Sequence, residues 1–228
     1  MSEDGRFELK YLLSPPEYES VVAVLRTCCR HDPFARRSPS CRYLVRSLYF
    51  DTLDLKAYAD KVTGERNRRK IRIRSYANHR SAVEAVHLEE KIRLGGLIYK
   101  TKTALPLAEY ENVEKRWDFG IHAVGHHLLR PSSLVAYHRE AFIAMDGSTA
   151  RYTFDHDIRA LATDDVFAPL SSLRRDPANR IVFEVKFGGR QPEMLSRLVR
   201  AFDLKVVPNS KYANAVNQGG VNTVWLGI

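Results

Sequence analysis

With 228 residues, 44% of them hydrophobic, the chain can fill a sizeable core and is too apolar for a disordered protein. Its 36 Lys+Arg against 27 Asp+Glu give a formal net charge of +9, which favours anionic partners such as phosphates, nucleic acid or an anionic membrane face. No apolar run approaches the ~20 residues that span a bilayer, and Met1–Arg6 lacks the apolar core of a signal peptide. Cys28, Cys29 and Cys41 lack metal-site spacing, so reduced thiols in a cytoplasmic protein are expected.

In chain order, Phe7–Leu13 reads as a short strand. Ser14-Pro15-Pro16-Glu17 then opens a helix with a capping box, and Val21, Val22, Leu25 and Cys29 give it an apolar stripe to about Arg30. Tyr43–Asp51 is a strand with neither face cleanly polar, Thr52–Lys61 a short helix or structured loop, and Gly64–Asn67 a turn. Strands follow at Arg68–Tyr76, Val86–Leu94 and Leu97–Thr103, the last two joined by a turn at Gly95-Gly96. Asn78–Val83 is a polar loop. Leu107–Trp117 and Asp118–Leu129 are two helices or one broken helix, ended by Pro131.

Strands resume at Leu134–Met145 and Ala150–Ile158 around Asp146-Gly147, the clearest hairpin signal in the chain. Asp164–Asn179 is a loop, Ile181–Phe187 a strand and Pro192–Phe202 a helix. Lys205–Pro208 is expected as a short strand and Asn209–Asn217 as a helix, while Gly219–Ile228 has no clear assignment. No composition break marks a boundary, so one α+β domain rich in antiparallel strands is expected over residues 1–228.

The strands share a grammar. Charged residues recur at i and i+2 in Glu8/Lys10, Arg72/Arg74, Glu89/Lys91, Lys100/Lys102 and Glu184/Lys186. Hairpin order from Arg68 to Thr103 makes these faces adjoin, and Arg139 and Arg151 of the later hairpin could join them. The opposite faces carry Phe7, Leu9, Ile71, Ile73, Leu88, Ile92, Phe183 and Val185, which helices could cover. One reading is an inverted barrel, charged inside and apolar under outer helices. Such an interior must be watery or hold a polyanion, because unpaired buried cations are prohibitive. The other reading is a solvated sheet face with Lys and Glu pairing across strands. Guanidiniums suit phosphate oxygens and carboxylates suit a divalent cation, which together equip a site for phosphoryl transfer.

His122 and His126 stand at i and i+4, but no third metal ligand is evident. Gly188-Gly189-Arg190 lacks the Gly-Lys-Ser/Thr ending of a phosphate loop. The Arg36-Arg37, Arg68-Arg69 and Arg174-Arg175 patches lack a stacking set for nucleic acid, which is therefore not the expected partner.

Seven segments come in order: Phe7–Tyr11, Ser47–Thr52, Arg69–Arg74, Tyr137–Arg139, Arg151–Asp155, Phe183–Phe187 and Ser210–Tyr212. The set resembles the catalytic domain of the vacuolar transporter chaperones (VTC), the polyphosphate polymerase branch of the triphosphate tunnel metalloenzymes, over about residues 6–216. The resemblance implies an antiparallel eight-stranded tunnel with helices packed outside. It implies that Lys10, Arg72, Arg74, Lys91, Arg139 and Arg151 grip a chain of phosphates. Lys100, Lys102, Lys186, Ser210 and Lys211 would add phosphate contacts, and Glu184, with Glu8 and Glu89, would hold Mn²⁺ or Mg²⁺. The implied reaction moves the terminal phosphoryl of ATP onto polyphosphate. Hydrolysis of tripolyphosphate or nucleoside triphosphates and non-catalytic polyphosphate binding are the alternatives. Neither the sensing domain nor the membrane segment of the eukaryotic polymerases is expected here, and the chain resembles the compact bacterial members.

Overall fold

A capping box starts the first helix where the sequence puts it. Ser14 Oγ accepts from the Glu17 backbone N–H (3.5 Å), and the Glu17 carboxylate accepts from the Ser14 N–H (2.7 Å). This computed structural model describes residues 6–95, 97–114 and 129–219. Its strands are β1 (Arg6–Leu13), β2 (Cys29–His31), β3 (Arg42–Asp51), β4 (Arg68–Ser75), β5 (Ala85–Leu94), β6 (Leu97–Pro106), β7 (Arg130–Ala144), β8 (Arg151–Leu161), β9 (Arg174–Arg175) and β10 (Ile181–Gly188). Its helices are α1 (Pro15–Leu25), α2 (Lys56–Val62), α3 (Leu107–Glu114), α4 (Glu193–Ala201) and α5 (Lys211–Gly219).

The fold is α+β, and its ten strands belong to one sheet. The hydrogen-bonded order is β1-β10-β8-β7-β3-β4-β5-β6, with β2 on β7 and β9 on β8. The described residues form two compact units, those of Met1–Leu44, Tyr137–Ile158 and Arg175–Asn209, and those of Val45–Ala136, Arg159–Arg174 and Ser210–Ile228. Each is assembled from three separate stretches, so no composition break could mark a boundary.

In the first unit β10 pairs antiparallel with β1 on one side and β8 on the other, and β2 pairs with β7. The registers Tyr11↔Phe183↔Phe154 and Leu9↔Val185↔Tyr152 put aromatics and aliphatics on one face. There Phe154 stacks on Phe183 at 4.7 Å, and α1 and α4 close over them with Val21, Val22, Leu25, Leu195 and Leu198. Each such buried side chain contributes ~1.5–3 kcal/mol. The intervening registers, Glu8↔Lys186↔Arg151 and Lys10↔Glu184↔Thr153, put polar groups on the opposite face.

In the second unit β3, β4, β5 and β6 pair antiparallel in sequence order. Leu48, Phe50, Ile71 and Ile73 pack with Tyr110 of α3 and with Val166, Phe167 and Leu173 of the connection after β8. That connection buries backbone carbonyls, and fully buried Arg46 satisfies them by donating to Val166 O (2.6 Å) and Ala168 O. The other face carries Arg72, Glu89 and Lys102 in one register and Lys70, Lys91 and Lys100 in the next of the same parity.

Three element assignments need correction. The first helix stops at Leu25 rather than near Arg30, because Thr27 Oγ1 bonds back to Val24 O (2.8 Å) and Cys29 leaves to pair with Ala144 as a strand. Cys29 is still buried, but as a strand residue. Lys205–Pro208 is not a strand, although Val207 N–H donates to Lys10 O of β1 (2.9 Å). The loop after β8 contains a 3₁₀ turn at Leu170–Ser172 and the two-residue β9. The Asp118–Leu129 helix falls almost wholly outside the described residues, as do His122, His126 and residues 220–228.

Candidate functional site

In the first unit the β1–β10 register sets two lysines and two glutamates in a checkerboard. Lys10 Nζ lies 2.9 Å from Glu8 Oε1 and 3.5 Å from Glu184 Oε2. Lys186 Nζ lies 2.8 Å from Glu184 Oε1 and 3.7 Å from Glu8 Oε2. Each cation thus serves both carboxylates. Burial and the Glu184 charge push the Glu8 pKa up, but Lys10 and Lys186 outweigh them and leave it below the usual value. Lys10 Nζ also donates to Asn209 O (3.2 Å).

Arg139 makes a fork to Asp155 (Nε to Oδ1 2.7 Å, Nη2 to Oδ2 2.9 Å). Burial works against its charge, but the facing Asp155 carboxylate holds the guanidinium pKa well above normal. Arg151 Nη2 is 2.6 Å from Asp32 Oδ2 and 3.4 Å from Tyr43 Oη.

In the second unit the polar face is built in rows. Tyr49, Arg72, Glu89 and Lys102 are directly opposed across β3 to β6, and Lys70, Lys91 and Lys100 form the next row. Arg72 Nε (2.8 Å) and Nη2 (2.6 Å) both donate to Glu89 Oε2, with Arg74 Nη1 3.5 Å from the same oxygen. Burial raises the Glu89 pKa, but Arg72 and Arg74 outweigh it and hold it low. Arg74 Nε donates to Ser47 Oγ (3.1 Å). Three lysines abreast repel one another, an arrangement that favours an anion. Lys70 Nζ donates to Ser210 Oγ (3.0 Å), and Lys211 begins α5 directly after Ser210. Lys102 Nζ sits 5.9 Å over the Tyr76 ring.

The candidate residues therefore fall in two groups: Glu8, Lys10, Glu184, Lys186, Arg139 and Arg151 in one unit, and Arg72, Arg74, Glu89, Lys91, Lys100, Lys102, Ser210 and Lys211 in the other.

No set of three His, Cys, Asp or Glu converges as a metal cage among the described residues. Glu8 and Glu184 are instead a carboxylate pair held together by shared lysines. That donor set fits Mg²⁺ or Mn²⁺ in the mode where one or two carboxylates act with phosphate oxygens and water. Glu89 adds a further carboxylate oxygen beside the arginines.

Sequence reasoning missed four features. Tyr49 lies on the charged face and stacks on Tyr212 at 5.2 Å. Tyr212 donates to buried Asp51, whose carboxylate also caps α2 through the Ala57 (2.8 Å) and Tyr58 (3.0 Å) N–H groups. Asp155, fully buried, was not separated from its strand. Glu140, on β7, accepts from Tyr18 Oη (2.6 Å) and bonds His31 Nε2 (2.8 Å), with His156 Nε2 3.6 Å away. Its partners come from distant segments, so no local spacing reveals them.

The geometry defines a class: an α+β protein whose antiparallel strands present cation rows interleaved with carboxylates. The VTC domain family matches over residues 5–218, and the chain belongs to that family. No curated protein matches the sequence. Among solved structures, a candidate adenylate cyclase of Bacillus halodurans is similar at TM-score 0.55 and 14% identity, with 92% of this chain and 96% of that one covered. A candidate adenylyl cyclase of Hippeastrum, described as having a dominant triphosphatase activity, is similar at TM-score 0.51 and 13% identity, over 94% and 97%. A candidate adenylate cyclase of Vibrio parahaemolyticus is similar at TM-score 0.51 and 11% identity, over 95% and 99%. These likenesses show the fold. No helix among the described residues is long and apolar enough to cross a membrane.

Proposed function

We propose that the chain is a metal-dependent phosphotransferase of the polyphosphate polymerase type, moving the terminal phosphoryl of ATP onto a polyphosphate chain held on its charged strand faces. The tunnel implied by the family resemblance is part of this proposal. The carrying observation is the in-register face of Lys70, Arg72, Arg74, Lys91, Lys100 and Lys102, with the Glu89 carboxylate set among them. A linear polyanion matches a row of cations spaced along neighbouring strands.

The chemistry asks little covalent work of the protein. Arg72 and Arg74 would stabilise charge spreading over the transferred group, and the lysine row would hold the neighbouring phosphates in line. Lys10, Lys186 and Arg139 would do the same in the first unit, with Arg151 as a further phosphate contact there, and Ser210 and Lys211 would add contacts in the second unit. Glu184 and Glu8 would hold Mn²⁺ or Mg²⁺. When bound, such an ion neutralises phosphate charge and orients the transferring group.

A second reading, hydrolysis of triphosphates, is favoured by the triphosphatase activity described for the Hippeastrum relative. Incubation with ATP and Mn²⁺, followed by gel analysis, separates them. Long acid-stable polymer supports the polymerase, and orthophosphate without polymer supports the hydrolase. Tight polyphosphate binding without turnover in any metal reduces the chain to a binding module.

A further inference from the structure

Tyr49 sits inside the cation cluster of the second unit with no part in the roles proposed above. It is directly opposite Arg72 on the neighbouring strand, and its side chain is only 7% exposed. Its ring lies against Tyr212 with centroids 5.2 Å apart and planes at 29°, so it cannot swing away without unstacking. Arg72 Nη1 donates to the Tyr49 oxygen at 3.2 Å, which leaves the phenol hydrogen still to be given. No acceptor for that hydrogen stands among the described residues. Tyr212 differs, because its hydroxyl is already given to Asp51.

A buried donor surrounded by guanidinium and ammonium groups is aimed where an anion would sit. We infer that Tyr49 is a further phosphate ligand, donating its hydroxyl hydrogen to the same phosphate that Arg72 holds. The inference rests on the reading of this face as a triphosphate site, and deepens it by making one ligand neutral and titratable.

The groups around Tyr49 are Lys70, Arg72 and Arg74 on β4, Glu89 on β5 behind Arg72, and Tyr212 on α5 with Asp51 behind it. Burial alone would raise the phenol pKa, but Arg72, Arg74 and Lys70 outweigh it and bring it down to about 8. The neutral phenol donates to phosphate, whereas the phenolate repels it. The contribution of Tyr49 to binding is therefore present below about pH 8 and lost above it, and bound phosphate shifts the ionisation upward.

The test measures metal-free tripolyphosphate binding to the full chain and to Tyr49→Phe from about pH 6.5 to about pH 9.5. The affinity ratio of wild type to variant cancels the titration of the ligand itself. It should be about tenfold near pH 7 and fall to about one or below by pH 9.5. A ratio near one throughout, or a ratio that does not change with pH, overturns the inference while leaving the site intact. Failure of wild type to bind tripolyphosphate at all overturns the site reading and the inference with it. Should Tyr49→Phe fail to fold, phenolate absorbance of wild type decides: an ionisation near pH 8 that moves up with tripolyphosphate supports the role, and one that stays put refutes it.

Discussion

Arg72 and Glu89 face each other across β4 and β5, and two guanidinium nitrogens of Arg72 converge on a single carboxylate oxygen, Glu89 Oε2, at 2.8 and 2.6 Å. Arg74 reaches the same oxygen at 3.5 Å. One carboxylate thus orients both arginines. It supports their geometry and competes with any anion for their charge.

Neutralising that carboxylate should separate the two effects. Glu89→Gln is expected to bind tripolyphosphate about two- to fivefold more tightly without metal, since a competing half-buried charge worth ~0.5–1 kcal/mol is removed. Turnover should fall, because the arginines lose the partner that orients them. Calorimetry and a turnover assay on the same preparation check both, and a variant that binds more weakly without metal would refute the competition.

The Glu8–Glu184 pair carries the proposed metal role. Glu184→Gln should raise the Mn²⁺ concentration needed for half-maximal turnover by ~10-fold or more, on the scale of lost metal-site support. The conservative change keeps the side-chain volume beside Lys10 and Lys186. An unchanged Mn²⁺ titration would remove Glu184 from the role.

Glu140 should govern acid stability. Burial raises its pKa, but His156, His31 and Tyr18 together hold it down to about 2, against an ordinary value of 4.5. A depressed folded pKa means that its contribution is complete above about pH 4.5 and is lost as pH falls toward 2. The span corresponds to about 3 kcal/mol. Thermal unfolding from neutral to acid pH should show a loss in that window for wild type, and a lower but flatter profile for Glu140→Gln. A wild-type profile that is level below pH 4.5 would contradict the assignment.

Charged residues at every second position were enough to place β1, β4, β5, β6 and β10, whereas β3 has no cleanly polar face and is buried over most of its length. That alternation also fixed which charges share a face: the registers Lys10↔Glu184, Arg72↔Glu89 and Lys91↔Lys100 put the candidate residues side by side as their parity predicts. What the sequence hid was long-range. Glu140 meets Tyr18 and His31 across 122 and 109 residues, and Tyr212 meets Asp51 across 161. Such pairs leave no periodic trace. The first helix was overextended because Cys29 suits a helical stripe and a buried strand equally well, and only its pairing with Ala144 decides between them. Tyr49 carries no charge to mark it and its strand has no cleanly polar face, so only its register opposite Arg72 assigns it to the charged face.

The central claim is that the β4 arginines stabilise the transferring phosphoryl group. Turnover of ATP with Mn²⁺ by wild type, Arg72→Ala and Arg74→Ala tests it most directly. The account predicts a loss of ~2 kcal/mol or more of transition-state stabilisation in each variant, roughly 30-fold in kcat/KM. Near-full activity in both variants would contradict it.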